Sequence, residues 1–162
     1  MENDFEILHA ILPIVFTDKN NNNRPLLFQH QSEDPARNGL PITDLELMDF
    51  AIKILADLYT EQGLKVKSKN RIQNNEYPNL VLEVNGQQFF LAIKIARYPI
   101  NPLQIPPDDY GALKDLAHEA GAIPLFAPLS FGCATNAKSC DDLANTIYGG
   151  VYYVAYRSAF RL

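Results

Sequence analysis

Lys94 stands inside an apolar run, Phe89–Ala96, two residues after Ala92. An ammonium group there can hold an anion, a phosphate or a partner's carboxylate. It can equally snorkel, with its stem buried and its head in water. Other reactive residue types lack workable spacing. His9, His30 and His118 are scattered, Cys133-x6-Cys140 is not a zinc pairing, and neither a G-x-S-x-G turn nor a phosphate-binding glycine loop occurs. Lys65, Lys67 and Lys69, followed by Arg71, place basic charge on alternate residues. That pattern suits nucleic acid, an acidic protein surface or a protected sheet edge. Tyr152 and Tyr156 share one face of an alternating C-terminal strand, where they can serve an interface or simply a core.

The elements that position Lys94 follow from one turn. Asn85-Gly86 separates two β-prone runs, and these two residue types accept the positive φ that a type I′ hairpin turn needs. A two-residue loop pairs Val84 with Gln87, Glu83 with Gln88, Leu82 with Phe89, Val81 with Phe90 and Leu80 with Leu91. Asn79 then falls opposite Ala92. Alternation puts Asn79, Val81, Glu83, Gln88, Phe90, Ala92 and Lys94 on one face and an apolar set on the other. A slip by one residue would scramble that apolar face, so the register is well specified.

Pro78-Asn79 on one strand and Ala92-Ile93-Lys94 on its partner resemble the motif of the PD-(D/E)XK nuclease superfamily. The lysine is present and both carboxylates are missing. In that family the two acids hold a divalent metal, usually Mg²⁺, and the lysine orients or activates the attacking water. Asn79 offers only a neutral carbonyl oxygen and Ala92 offers nothing, whereas hard cations need anionic oxygens. The resemblance therefore implies a fold and argues against the activity, leaving Asn79, Ala92 and Lys94 as a vestigial site. Glu83 shares their face but lies about 13 Å from Asn79 at ~3.3 Å per residue, too far to join one metal shell. Glu46 and Glu76 are the acids that could have taken over in an active, Mg²⁺-dependent member.

Element order agrees with the resemblance. Thr43-x-x-Glu46 forms a capping box ahead of a helix over 44–62, whose apolar residues Met48, Ala51, Ile52, Leu55, Leu58 and Tyr59 recur at helical spacing up to Gly63. A strand at 64–69 and the hairpin come next, then a proline-rich stretch at 97–107 and a second helix capped by Asp108. An apolar strand at 123–131, a short helix around 141–147 and a strand at 151–156 complete the chain. The resemblance implies an α/β, restriction-endonuclease-like αβββαβ core over 43–157, with a central mixed sheet flanked by helices. Residues 1–42 form an irregular N-terminal region of the same single domain. There Asn3 and Glu6 can open a short helix, or Ile11–Phe16 and Leu26–Gln29 can be strands around the Asp18–Asn23 loop.

Composition narrows the function class. The chain has 162 residues, 47% hydrophobic and 20% charged, with fourteen basic and nineteen acidic side chains giving a net charge of −5. That balance disfavours general nucleic-acid binding, because phosphate contacts supply most of it. No apolar run is long enough for a membrane span, and MENDFEILHAILPIVF has no basic leader region. A cytoplasmic location with two free thiols is expected. With the resemblance, these features predict a non-catalytic nuclease-like domain that binds a macromolecule, with a protein favoured, as an immunity, inhibitor or assembly protein would. Under that reading Lys94, Lys65, Lys67, Lys69, Tyr152 and Tyr156 are the binding candidates. The other readings are the Mg²⁺-dependent nuclease and a small-molecule or peptide-binding α/β domain with the 98–107 loop as its rim.

Overall fold

The computed structural model describes residues 27–72, 76–100, 110–156 and 159–162. Its elements are β1 (Leu27–Gln29), α1 (Asp44–Glu61), β2 (Lys65–Lys69), β3 (Leu80–Val84), β4 (Gln87–Arg97), α2 (Gly111–Ala120), β5 (Ile123–Cys133), β6 (Val151–Ala155) and β7 (Phe160–Arg161). Short 3₁₀ turns occupy Pro35–Arg37 and Cys140–Ala144. The sequence features assigned to 1–26, to 101–109 and to Asp108 lie outside the described residues.

α1 begins where Thr43 Oγ1 accepts the Glu46 backbone N–H at 3.2 Å and ends at Gln62, ahead of Gly63 with φ +89°. Its stripe is buried as its spacing dictates, apart from half-buried Leu58. The hairpin forms on Asn85 and Gly86, with φ of 51° and 82°, and every pair from Val84–Gln87 to Leu80–Leu91 is present. α2 starts at Gly111. Tyr110 precedes it without a side-chain capping bond and instead buries its ring against Phe126.

The sheet order is β1-β6-β5-β4-β3-β2, with β7 also on β5. Among the described strands only β4 and β5 run parallel; α2 lies between them in sequence. The sheet is therefore mixed, and among the described residues α1 packs on one face and α2 on the other. The main core fills the α1 side with Leu47, Leu55, Tyr59, Phe89, Leu91, Leu125, Phe131 and Tyr152, among others. A smaller cluster forms under α2.

β5 tolerates two prolines in a central position. Pro124 turns its carbonyl toward the C-terminal strand, where it accepts the Leu162 N–H at 3.1 Å. Alternation points Pro128 the same way, and β6 and β7 pair with 130–133 and 125–126 respectively. Pro128 thus falls in the gap between them, where no ladder donor is required. Among the described residues no helix is long and apolar enough to cross a membrane.

Candidate functional site

Asn79 is only 3% exposed, and all its amide hydrogen-bonding groups face inward. The β3–β4 ladder stops at Leu80–Leu91, and Asn79 continues it with its side chain. Its backbone N–H donates to Leu91 O at 2.8 Å, and its Oδ1 accepts the Ile93 N–H at 2.8 Å. Nδ2 donates to the carbonyls of Asn70 at 2.9 Å and Ile72 at 3.0 Å. Two acceptors on one side and a donor on the other fix the amide's orientation. The same residue also accepts the Asn70 N–H at 2.8 Å through its backbone. Asn79 thus sews the chain leaving β2 to the middle of β4.

Ala92 is 2% exposed. It sits beside Phe126 in the β4–β5 register and belongs to the cluster of Val81, Phe90, Tyr110, Leu113 and Ala117. A closed apolar seam occupies this position. Lys94 lies one step along the same face, half-buried next to Pro128 in register. These three residues do not fit a magnesium ion. The amide oxygen of Asn79 is spent on Ile93, and Ala92 is sealed beneath a helix.

The alternating lysines do not share a face. β2 pairs Val66 with Leu82 but Ser68 with Val81, so Lys67 is an inserted bulge residue. One extra residue reverses the alternation. Lys65 sits opposite Glu83 on the α2 face, and Lys69 sits opposite Leu80 on the α1 face. Lys67 and Arg71 also meet acids. Lys67 Nζ is 3.4 Å from Glu83, and Arg71 is 3.1 Å from Asp49. Lys69 and Arg71 line a cleft of about 350 Å³ with Asp49, Ile52, Lys53 and Asp57. The result is a mosaic of both signs along β2, the last strand of the described sheet.

Tyr152 and Tyr156, offered by the sequence as contact residues, are 0% and 4% exposed. Both face α1. Tyr152 packs edge-on against Phe50 with centroids 5.4 Å apart and donates to Ile147 O at 2.5 Å. The hydroxyls of Tyr156 and Tyr59 bond each other inside the core. Burial raises the pKa of all three phenols. The strand's alternation leaves Tyr153 as its exposed ring. Of the alternative acids, Glu46 is half-buried on the first turn of α1 and Glu76 is exposed before β3. Among the described residues, no three His, Cys, Asp or Glu side chains gather as a metal set.

A family model described as "Domain of unknown function (DUF8840)" matches residues 45–159. The chain belongs to the DUF8840 family. No curated protein and no solved structure matches it. The DUF8840 match runs from the first turn of α1 to buried Ala159. It includes Asn79, Ala92 and Lys94 and leaves out β1 and its flanking histidine.

That histidine, His30, and Arg97 are structural polar centres that sequence spacing does not reveal. His30 Nδ1 accepts the Gly149 N–H at 2.9 Å, and its backbone N–H donates to Gly150 O at 2.9 Å. Its ring packs 5.1 Å from Phe50 and 5.9 Å from Tyr148. Gly149 sits at φ +73°, a conformation that strains other side chains, and an added Cβ would also press on the Asn38 amide at 2.5 Å. Arg97 ends β4 with an ion pair to Asp44 at 2.5 Å and a bond to Thr146 Oγ1 at 3.1 Å. It pins the start of α1 to the loop before β6.

Burial lowers the His30 pKa below 6.5, with the nearby Glu46 carboxylate opposing. Protonation would set an N–H against the Gly149 N–H. In the window between the folded and unfolded pKa values the unfolded chain binds the extra proton, so stability rises with pH there. Stability from this group is complete above pH ~6.5 and is lost on acidification until the folded pKa is passed. The melting temperature of the wild type should drop more steeply from pH 7.5 to 5 than that of His30→Asn, whose amide oxygen replaces the acceptor without titrating there. Parallel profiles would contradict this.

Proposed function

We propose that this chain is a degenerate relative of the PD-(D/E)XK nucleases, with a restriction-endonuclease-like core, that acts without metal chemistry by binding another protein. The observation that carries the reading is the commitment of Asn79. Its amide is fully used inside the fold at the position where the resemblance expects a metal-holding acid. The order helix, three strands, helix, strand over 44–133, with β4 and β5 parallel, supports the same kinship.

Protein is favoured over nucleic acid by charge and its arrangement. The net charge is −5, and the basic residues of β2 and the following segment are interleaved with Glu83, Asp49 and Asp57. A phosphate backbone needs a coherent positive track. Interspersed charges instead select one complementary protein surface and reject others. An immunity, inhibitor or assembly role fits such a surface. The active-nuclease reading needs acids brought together, and Glu46 and Glu76 sit on separate elements of the described structure.

A tagged chain recovered from its source cells should carry a stoichiometric protein partner. That complex should survive nuclease treatment and EDTA and weaken when Lys69 and Arg71 are both reversed to Glu. Metal-dependent cleavage of DNA or RNA that Lys94→Ala abolishes would overturn the proposal.

A further inference from the structure

Two Asn-Gly pairs occur in the chain, Asn38-Gly39 and Asn85-Gly86. Such a pair holds its own nucleophile and electrophile. The glycine nitrogen lies one ring closure from the asparagine Cγ, and the missing side chain leaves its approach open. Attack within one chain needs no partner, only an amide nitrogen able to lose its proton and swing onto the carbonyl carbon. An N–H already committed to a hydrogen bond resists both steps.

The fold treats the two pairs oppositely. At the first, the Gly39 N–H donates to Tyr148 O at 3.0 Å, and the Asn38 N–H donates to Pro35 O at 3.1 Å. The side-chain amide of Asn38 lies against Gly149. Its backbone and its electrophile are both held in place. At the second, Asn85 and Gly86 are exposed at the tip of the hairpin. Among the described residues, neither the Asn85 side-chain amide nor the Gly86 N–H makes a hydrogen bond. The ladder begins only beside them, at the Val84–Gln87 pair. A two-residue loop leaves its second N–H outside the ladder by construction.

We propose that Asn85 is a modification site, converting to isoaspartate and aspartate in the folded protein while Asn38 is held intact. Gly86 N loses its proton to solvent hydroxide and bonds to Asn85 Cγ; the Cγ–Nδ2 bond breaks and Nδ2 leaves as ammonia. Water then opens the five-membered imide. Opening at Cγ gives aspartate, and opening at the main-chain carbonyl gives isoaspartate, with no change of oxidation state. Isoaspartate threads the side-chain methylene into the backbone. A two-residue loop matched to one register has no room for it, so the Val84–Gln87 pair loosens first. Glu83 comes next, and its carboxylate holds Lys67 at 3.4 Å. The inference does not depend on the partner-binding role proposed above.

The test ages the full-length folded protein at mildly alkaline pH and maps its peptides by mass spectrometry, with the urea-unfolded chain as reference. Unfolded, Asn38 and Asn85 should convert at similar rates, since each precedes glycine. Folded, Asn85 should convert at least tenfold faster than Asn38. Asn85→Gly keeps a residue pair suited to the turn and should stay homogeneous at this loop. Equal rates at the two sites in the folded protein, or folding that slows Asn85 as much as Asn38, would overturn the proposal. Hydrogen exchange reads the consequence for the hairpin. In the purified isoaspartate form, the amides of Val84 and Gln87 should exchange at least tenfold faster than in Asn85→Asp, which carries the same charge on an unextended backbone. Matching exchange would equally overturn it.

Discussion

Asn79→Asp is expected to cost about 3–5 kcal/mol of folding stability at neutral pH, although it restores the residue that the nuclease motif calls for. The carboxylate keeps the Ile93 contact but loses both donors to Asn70 O and Ile72 O. It then faces two carbonyl oxygens in a site that is 3% exposed. Each buried acceptor left unpaired costs about 1–3 kcal/mol, and an unpaired buried charge adds more. The pH dependence separates the two causes. Burial and the carbonyl dipoles hold the introduced acid's folded pKa above ~3.9, so between those values the folded state binds the extra proton. Relative to wild type at the same pH, the deficit should shrink as pH falls from 7 toward 4. Asn79→Ala should be destabilised by about 2–4 kcal/mol with no such recovery. Denaturant unfolding at several pH values checks both.

Ala92→Glu should be at least as damaging, about 4 kcal/mol or more. The methyl group is 2% exposed among Val81, Phe90, Tyr110, Leu113, Ala117 and Phe126. A longer side chain overpacks this seam and brings a charge without a partner. Near-complete loss of the cooperative transition at neutral pH is the expected result. A double Asn79→Asp/Ala92→Glu protein that folds well would show that the seam opens more easily than its packing implies.

The hairpin was legible because the turn and the alternation agree. Asn85-Gly86 permits one loop length, and any other register would expose Leu80, Leu82, Phe89 and Leu91. α1 was legible for the same kind of reason, since cap, periodicity and stop signal all coincide. β2 was not. A bulge at Lys67 depends on how β3 presents its bonds, and nothing in KVKSK alone marks the extra residue. The tyrosine alternation placed Tyr152 and Tyr156 together correctly, but which side faces α1 is decided by tertiary packing. Asn79 could be placed as the first residue of a strand, opposite Ala92. Its role could not, because its partners come from Asn70 and Ile72, in irregular chain where spacing predicts no hydrogen bonds.

The central claim is that this face is an internal seam at the position where the nuclease motif would hold a cation. A manganese titration followed through the amide resonances of isotope-labelled wild-type protein tests it most directly. The side-chain amide of Asn79 and the backbone amides of Ile93 and Lys94 should stay sharp at millimolar Mn²⁺, with slow exchange of the Asn79 side-chain protons. Saturable broadening centred on Asn79, Ala92 and Lys94 would contradict the account.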